Sequence, residues 1–552
     1  MPLLRQALNR PIDGRGRPRI GGVNRAVGGY VVSFATLLSA APEAREAAVS
    51  DVEVSRRGFL RWLSFSGAGV AASTLLADPA GASAPDLTVF VNGRLIDGTG
   101  APTRSDAVIV VARDKIVAVA QGRGVPRPAG ARTVDLAGRY VIPGLWDMHA
   151  HNIVDEAIFP PLYLANGVTG IREMRGGPEV RATRARIERG ELLGPRVVAA
   201  GQIVDGPATF LGPEDIIVHD RREVIATVRQ IKRDGGDFVK VYSHLTPELY
   251  QDVADATRRE HIPFAGHIPY LVPAEDVSRA GQHTVEHLLG IPVAVSGQRD
   301  AFNALIAQTP LVDPFAYYYF MRELDWQASE SYDPARAAAF YRLLIRNRTW
   351  QVPTITVLRM VNSPLGTFDN DPRLVYIPEA YRQPWAERHA IFAPTTPEQI
   401  VVQARFLDAL IAIVGAMEAA GVPLVAGTDC SNPFVLPGFS LHDELANLVG
   451  AGLSPMRALQ AATRDAARCL GIDHQHGTVT PGKAADFVVL DADPLADITN
   501  TTRIHAVVAR GRHITSADRE RMLADVRAAA ESPSPTTLAA ATAGCACHAP
   551  RR

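Results

Sequence analysis

The chain has 552 residues, 47% hydrophobic and 21% charged, with 57 Lys and Arg against 58 Asp and Glu for a formal net charge of −1. That balance supplies no electrostatic reason for a nucleic-acid or anionic-membrane partner, and only four cysteines in this length exclude a disulfide scaffold. At about 150 residues per domain the length suggests roughly three or four domains, although a single α/β barrel can exceed about 250 residues.

Residues 55–61 read Ser-Arg-Arg-Gly-Phe-Leu-Arg. An apolar stretch from Trp62 to Ala77 follows, interrupted by Ser64, Ser66, Gly67 and Gly69, and Ala80-Gly81-Ala82 closes it with the A-x-A form of a cleavage site. This is the pattern of a twin-arginine export signal. At 16 residues the stretch is too short and too glycine-rich for a stable membrane span. Residues 55–84 are therefore expected to be a signal peptide, with an uncleaved anchor as the alternative. Residues 1–54 are expected to be a disordered leader extension, although Ala26 to Ala41 is a second apolar stretch and translation from near Ser55 is the other reading. The expected partner is the twin-arginine export machinery, and the expected location is the periplasm or the cell exterior.

From Thr88 to Gln121 short β-patterned runs alternate with turn residues, and the same texture returns in "GTVTPGKAADFVVLDADP" and "IHAVVARGR". Residues 85–140 and 472–520 are expected to form one small split β-sandwich. Between them, over residues 141–471, strands alternate with helical stretches. The candidate strands are Val141–His149, Gly170–Met174, Arg196–Gly201, Phe238–Tyr242, Pro263–His267, Thr284–His287, Trp350–Val357 and Pro423–Asp429. Eight strands with intervening helices predict an α/β fold, a closed (β/α)₈ TIM barrel. The long connections 289–348 and 358–400 are expected to form lids or substrate walls. Residues 533–552 are Ala-, Pro-, Ser- and Thr-rich and are expected to be a disordered tail. Cys545-Ala-Cys547-His548 within it holds too few ligands for a closed structural metal site.

The chemistry concentrates at the predicted strand ends. In Pro143-Gly144-Leu145-Trp146-Asp147-Met148-His149-Ala150-His151 the two histidines, at i and i+2, share one strand face and can reach one ion. Lys240 in "DFVKVYS" shares a face with Phe238 and Tyr242. A lysine there is costly unless paired or modified, and desolvation raises its neutral fraction. A neutral amine can add CO₂ to form a carbamate, whose two oxygens can bridge metals; a lysine snorkelling to the rim is the bland alternative. His267 in "PFAGHIP" and His287 in "TVEHL" end two successive strands, and Asp429 closes "VPLVAGTDC". Taken singly each is an ordinary residue; together they form a constellation.

These motifs, with "LHDELANLVGAGLSPMRALQAATRDAARCLG" and "GTVTPGKAADFVVLDADPL", resemble the amidohydrolase superfamily from about residue 86 to 515. The likeness is to its imidazolonepropionase-like and metal-dependent dipeptidase (prolidase-like) branch. The resemblance implies a metal-bearing barrel beside a sandwich made from both chain ends. It implies that His149, His151 and Asp429 hold one divalent ion, that His267 and His287 hold a second, and that carboxylated Lys240 bridges them. Imidazolonepropionase proper uses one metal and no bridging lysine, so Lys240 favours the two-metal relatives that hydrolyse peptides or N-acyl amino acids. The cofactors implied are two divalent ions, expected to be Zn²⁺, and a CO₂-derived carbamate on Lys240.

The resulting expectation is a binuclear hydrolase of carbon–nitrogen bonds in a dipeptide, N-acyl amino acid or cyclic amide. In it a metal-bridging hydroxide attacks the carbonyl and Asp429 acts as general base and then acid. Tyr242, His244 and His442 are candidate substrate contacts. Arg172 and Arg175 are weaker ones, since surface salt bridges are the commoner use of arginine. No motif supplies a general base for Cys430. Lactone or ester hydrolysis on the same site, and a non-catalytic envelope binding protein, are the competing readings. The substrate is a small molecule in either enzymatic case, no nucleic acid is expected, and a homo-oligomer remains open.

Overall fold

The structure is a computed structural model that describes residues 53–54, 87–122, 127–128 and 130–543. Of the expected leader only Glu53–Val54 is described, as a short strand pairing parallel with Arg127–Pro128; the rest of it, the twin-arginine segment and Cys545-Ala-Cys547-His548 lie outside the described residues.

Strand Arg104–Ala112 is apolar on both faces. Ala107, Ile109 and Val111 enter one core while Val108, Val110 and Ala112 enter another, which is why its sequence is a continuous apolar run rather than an alternation. It pairs antiparallel with Leu87–Leu95 on one side and Lys115–Gln121 on the other. Beyond Leu87–Leu95 the sheet continues through Tyr140–Pro143, Phe487–Leu490, Ile504–Ala509 and Arg512–Ile514. Arg132–Asp135 pairs parallel with Leu87–Leu95. Strands from both chain ends therefore lie in one mixed sheet that closes over a shared core. Phe90 from the first part and Phe487 from the second are fully buried and meet edge to face, ring centroids 5.1 Å apart.

The second sheet is parallel and runs Leu145–Ala150, Val168–Glu173, Arg196–Asp205, Phe238–Val241, Phe264–Gly266, Thr284–Glu286 and Trp350–Val352. Residues 423–430 take the eighth place. Gln351 bridges Leu424 and Ala150 bridges Cys430, both in parallel sense. The amides of Val425, Met148 and Asp429 donate to the carbonyls of Gln351 (3.0 Å), Ala426 (3.0 Å) and His149 (2.8 Å). Seven regular strands and this irregular eighth segment make the expected barrel. Gly427 is needed in that segment, because a Cβ would stand 2.7 Å from Val352 Cγ1 and 2.8 Å from the His149 amide nitrogen.

Three expectations need correction. The predicted strand Val141–His149 is divided at Gly144: Tyr140–Pro143 pairs with Phe487–Leu490 in the mixed sheet, and Leu145–Ala150 opens the barrel. The predicted strand Trp350–Val357 ends at Val352. Thr354 adopts a left-handed conformation (φ 49°) that turns the chain into the helix Ile355–Val361, whose first amides, Ile355 and Thr356, donate to the buried Glu444 carboxylate at 3.0 and 2.8 Å. Residues 535–543 of the expected disordered tail form a helix, and the Thr537 hydroxyl donates to Asp155 at 3.0 Å.

The long connections fold rather than remaining open. Helices Ile291–Val295, Arg299–Gln308, Pro314–Ser329 and Pro334–Asn347 occupy the first, and Glu379–Phe392 occupies much of the second. Their amphipathic faces join the barrel's main core through residues such as Met321, Leu324, Tyr381 and Trp385.

The Phe90–Phe487 contact ties the two chain ends together. Phe487→Ala is expected to lower unfolding stability by about 3–5 kcal/mol, read from the urea midpoint; a loss under about 1 kcal/mol would show that this core does not couple the two ends.

Candidate metal centre

His149 and His151 leave the C-terminal end of the first barrel strand and are both buried. His149 Nδ1 donates to Glu286 Oε2 at 2.8 Å, which turns its Nε2 towards Asp429 Oδ1, 3.4 Å away. His151 Nε2 lies 3.3 Å from the same oxygen. One ligand atom from each of His149, His151 and Asp429 falls within a 4.8 Å cluster. His287 stands beside them, its ring 4.5 Å from His149 and 5.0 Å from His267, with Nε2 3.6 Å from Asp429 Oδ2. His267 is anchored through Nδ1 to the Ser243 hydroxyl at 2.8 Å, and His287 through Nδ1 to the Thr354 hydroxyl at 2.7 Å. Fixing one ring nitrogen sets the direction of the other, as metal-ligating histidines require.

Lys240 lies in the fourth barrel strand, fully buried, and its Nζ has no hydrogen-bond partner among the described residues. Burial pushes the amine down to about 8, against the pull of the Glu286 and Asp429 carboxylates. Gly266 on the neighbouring strand makes room for it: a Cβ there would stand 3.1 Å from Lys240 Cδ and 2.1 Å from the Val241 carbonyl oxygen.

The electrostatics favour neutral imidazole at the deepest ligand. Burial, and then the positive charge of Lys240, hold His149 well below the usual histidine range. His151 is shifted upward: burial opposes protonation, but hydrogen bonding to Asp429 and Glu173 outweighs it. Burial also pushes the Asp147 carboxyl up to about 7, against hydrogen bonds from the Thr428 hydroxyl and the His149 and Thr428 amides. His287 (φ 62°) and Asp429 (φ 64°) both take the left-handed conformation that non-glycine residues seldom adopt. Such strain, roughly 1–3 kcal/mol per residue, collects where geometry serves a site.

The chain is similar to known proteins over much of its length. A model of the Amidohydrolase family matches residues 405–514. The imidazolonepropionase of Caulobacter vibrioides (strain NA1000 / CB15N) is 25% identical over 452 residues, covering 77% of this chain and 98% of that protein. That of Acinetobacter baumannii is 27% identical over 409 residues, covering 71% and 89%. Among solved structures, a bottromycin amidohydrolase superposes with a TM-score of 0.63 at 24% identity, covering 85% of this chain and 96% of that one. A Xaa-Pro dipeptidase with bound methionine superposes at 0.56 and 21% identity, covering 78% and 100%. The chain is similar to the amidohydrolase superfamily, whose family model matches its residues 405–514. The likeness is to the imidazolonepropionase-like branch and supports a metal-dependent hydrolase of carbon–nitrogen bonds.

The donor set suits divalent ions. Four histidines anchored through one nitrogen or facing a shared carboxylate, and buried Lys240 Nζ and His149 Nε2 atoms without a hydrogen-bond partner among the described residues, are the arrangement a metal would complete. Of the six residues expected as ligands, His149, His151 and Asp429 gather in one group, the His287 and His267 rings stand beside it, and Lys240 is buried on the fourth strand. Of the candidate substrate contacts, Tyr242 packs against His267 at 4.3 Å between ring centroids. His244 is anchored to Asp205 through Nδ1 at 3.1 Å, and its Nε2 has no hydrogen-bond partner among the described residues.

Three other candidates are placed elsewhere. His442 spends both ring nitrogens on structure, Nδ1 with the Thr501 hydroxyl (2.9 Å) and Nε2 with the Asn166 carbonyl (3.0 Å), so it has no atom to offer a substrate. Arg175 is paired with Asp215 and Glu214. Arg172 is buried and donates to the Met148 carbonyl, the Thr284 hydroxyl and both oxygens of Glu286. Burial holds the Cys430 thiol well above the usual range, so it is not a nucleophile.

Glu286 is the residue that the reading of motifs did not single out. It precedes His287, and strict alternation would send the two to opposite faces; the left-handed turn at His287 abolishes that alternation. Because Glu286 sets the tautomer and direction of His149, Glu286→Gln is expected to weaken divalent-metal retention by about 10–100-fold. Metal content after graded chelator dialysis checks it; retention equal to the parent protein would remove Glu286 from the centre.

Proposed function

We propose that this protein is a binuclear hydrolase of peptide or N-acyl amino acid bonds, with His149, His151 and Asp429 at one ion, His267 and His287 at the other, and carbamylated Lys240 between them. The observation that carries this reading is Lys240: a fully buried amine, without a hydrogen-bond partner among the described residues, facing the Asp429 and Glu286 carboxylates. An unmodified ammonium would be stranded there, whereas a neutral amine can add CO₂ and lose a proton to give a carbamate, whose negative charge would suit divalent ions held by the surrounding histidines. The relatives named imidazolonepropionase support a cyclic amide as the second substrate class.

Bound divalent ions supply an activated water and polarise the scissile carbonyl. The chain's own groups do the rest. Asp429 sits within 3.3–3.6 Å of three imidazoles, so its carboxylate can accept a proton from the attacking water and return it to the leaving nitrogen. His244, held by Asp205, presents Nε2 as a hydrogen-bonding group for the substrate. Glu286 and Arg172 hold His149 in place and keep bulk water out of the layer beneath it.

The test is a panel of dipeptides, N-acyl amino acids, cyclic amides and lactones, assayed with zinc and bicarbonate. Turnover of an amide, about two metal equivalents, and loss of activity on omitting bicarbonate during reloading are expected. Asp429→Ala is expected to lower kcat by about a thousandfold with the circular-dichroism spectrum retained. Lactone-only turnover, or a fully active Asp429→Ala protein, would overturn the mechanism; intact protein that holds no metal would support a binding role instead.

The Arg56-Arg57 pair and the apolar stretch behind it support export by the twin-arginine route, which carries folded proteins, so that metals and carbamate are installed before crossing. A reporter fused behind residues 1–90 is expected to reach the periplasm or medium and to be retained when both arginines become lysine; a cytoplasmic parent fusion would refute this localisation.

A further inference from the structure

None of the six expected ligands lies on the seventh barrel strand, Trp350–Val352. The turn that follows it is nevertheless costly to build. Thr354 is fully buried and left-handed (φ 49°), a conformation for which glycine or asparagine is the ordinary choice and a β-branched residue is an outlier. His287, which faces it from the end of the sixth strand, is left-handed as well (φ 62°). The two side chains meet at 2.7 Å, His287 Nδ1 against the Thr354 hydroxyl. Strain of this kind persists only where surrounding structure holds it, and here it lies on both sides of one hydrogen bond.

The direction of that bond is set by the hydroxyl. A threonine side chain has one proton to donate and two lone pairs to accept with. Thr354 gives its proton to the Pro353 carbonyl at 2.8 Å, so towards His287 it can only accept. Nδ1 of the neutral His287 ring therefore carries the proton, and Nε2, 3.6 Å from Asp429 Oδ2, carries the lone pair. That is the tautomer a divalent ion needs.

Thr354 is in turn held from another element. Glu444, on the helix Phe439–Gly450, is fully buried. Its Oε1 accepts from the Ile355 amide at 3.0 Å, and its Oε2 accepts from the Thr356 amide and hydroxyl, both at 2.8 Å. Three donors converge on it, and only a carboxylate offers acceptors at both oxygens; a glutamine would turn its own amide hydrogens against one of them. Burial pushes the Glu444 carboxyl up to about 7 against the pull of these donors. A charge is thus kept in the interior at the residue that closes the turn.

We infer that Thr354 and Glu444 are positioning residues of the metal centre: Glu444 fixes the turn after the seventh strand, and the Thr354 hydroxyl in that turn fixes the tautomer and direction of His287. This role, which rests on the two-ion reading above, extends the centre to a strand and a helix that supply no ligand. Without the hydroxyl, Nδ1 has no acceptor at this point and the ring is released to turn or to change tautomer.

The test uses the full chain loaded with zinc in bicarbonate and dialysed against graded chelator. Thr354→Val keeps the β-branched shape and removes the hydroxyl; it is expected to release one of its ions at about 10–100-fold lower chelator than the parent. Thr354→Ser, which keeps the hydroxyl, is expected to hold zinc as the parent does. Glu444→Gln is expected to shift release in the same direction as Thr354→Val. In the metal-free protein, the imidazole nitrogen NMR resonances of His287 are expected to show Nδ1 protonated in the parent and in Thr354→Ser, but not in Thr354→Val. Parent-like zinc retention in Thr354→Val or Glu444→Gln, or equal loss in Thr354→Ser, overturns the inference. A parent that binds a single ion removes the two-ion reading instead, and the His287 resonances then decide. Nδ1 protonation that is lost in Thr354→Val sustains the role of Thr354; Nε2 protonation in the parent, or Nδ1 protonation that persists in Thr354→Val, overturns it. The parent spectrum decides in the same way if the valine variant does not fold.

Discussion

Inside the barrel, below the metal centre, Arg172 and Glu286 form a buried ion pair at 2.9 Å, and the arrangement above depends on it. Each charge would cost several kcal/mol to bury alone. The pair is tolerable because every guanidinium nitrogen has a partner on a neighbouring element: the Met148 carbonyl on the first strand, and the Thr284 hydroxyl and Glu286 carboxylate on the sixth. The second Glu286 oxygen continues the chain to His149. A cross-strand link that must be fully satisfied therefore sets strand register, the orientation of His149 and the direction in which its remaining nitrogen points.

The layer above is assembled by small departures from regular strand geometry. A parallel strand sends alternate residues to opposite faces, so it cannot place adjacent residues in one cavity. Left-handed backbone at His287 and Asp429 removes that restriction, allowing Glu286 and His287 to serve the same centre and bringing Asp429 within reach of three histidines. His287 does this at the end of the sixth strand and Asp429 within the irregular eighth segment. Its hydrogen bonds to both neighbours are intact, so closure of the barrel survives the local strain.

The two inserted helical regions divide the work. The helix Pro314–Ser329 borders a cavity that Tyr270 also lines, while Glu379–Phe392 packs its Tyr381 hydroxyl onto Asp155 in the loop that follows His151. Asp155 is also the acceptor for Thr537 of the C-terminal helix. The ends of the chain and its insertions thus press on the same loops that carry ligands, which links the stability of distant elements to the geometry of the centre.

Much of this was legible in the sequence because periodicity and strand-end chemistry are local. The H-x-H spacing placed His149 and His151 on one face, the apolar flanks of Lys240 implied burial, and strand-terminal His267, His287 and Asp429 implied one mouth of one barrel. What the sequence alone determined was the set of elements and the polar residues at their ends. Tertiary structure decided which of those residues meet. Only the folded chain shows His442 locked between Asn166 and Thr501, Arg172 turned inward rather than towards a substrate, and Glu444 brought from a later helix to the turn at Thr354. The physical reason is that burial and pairing are long-range properties: whether an imidazole or carboxylate is free to act depends on atoms tens to hundreds of residues away, and no local pattern records them.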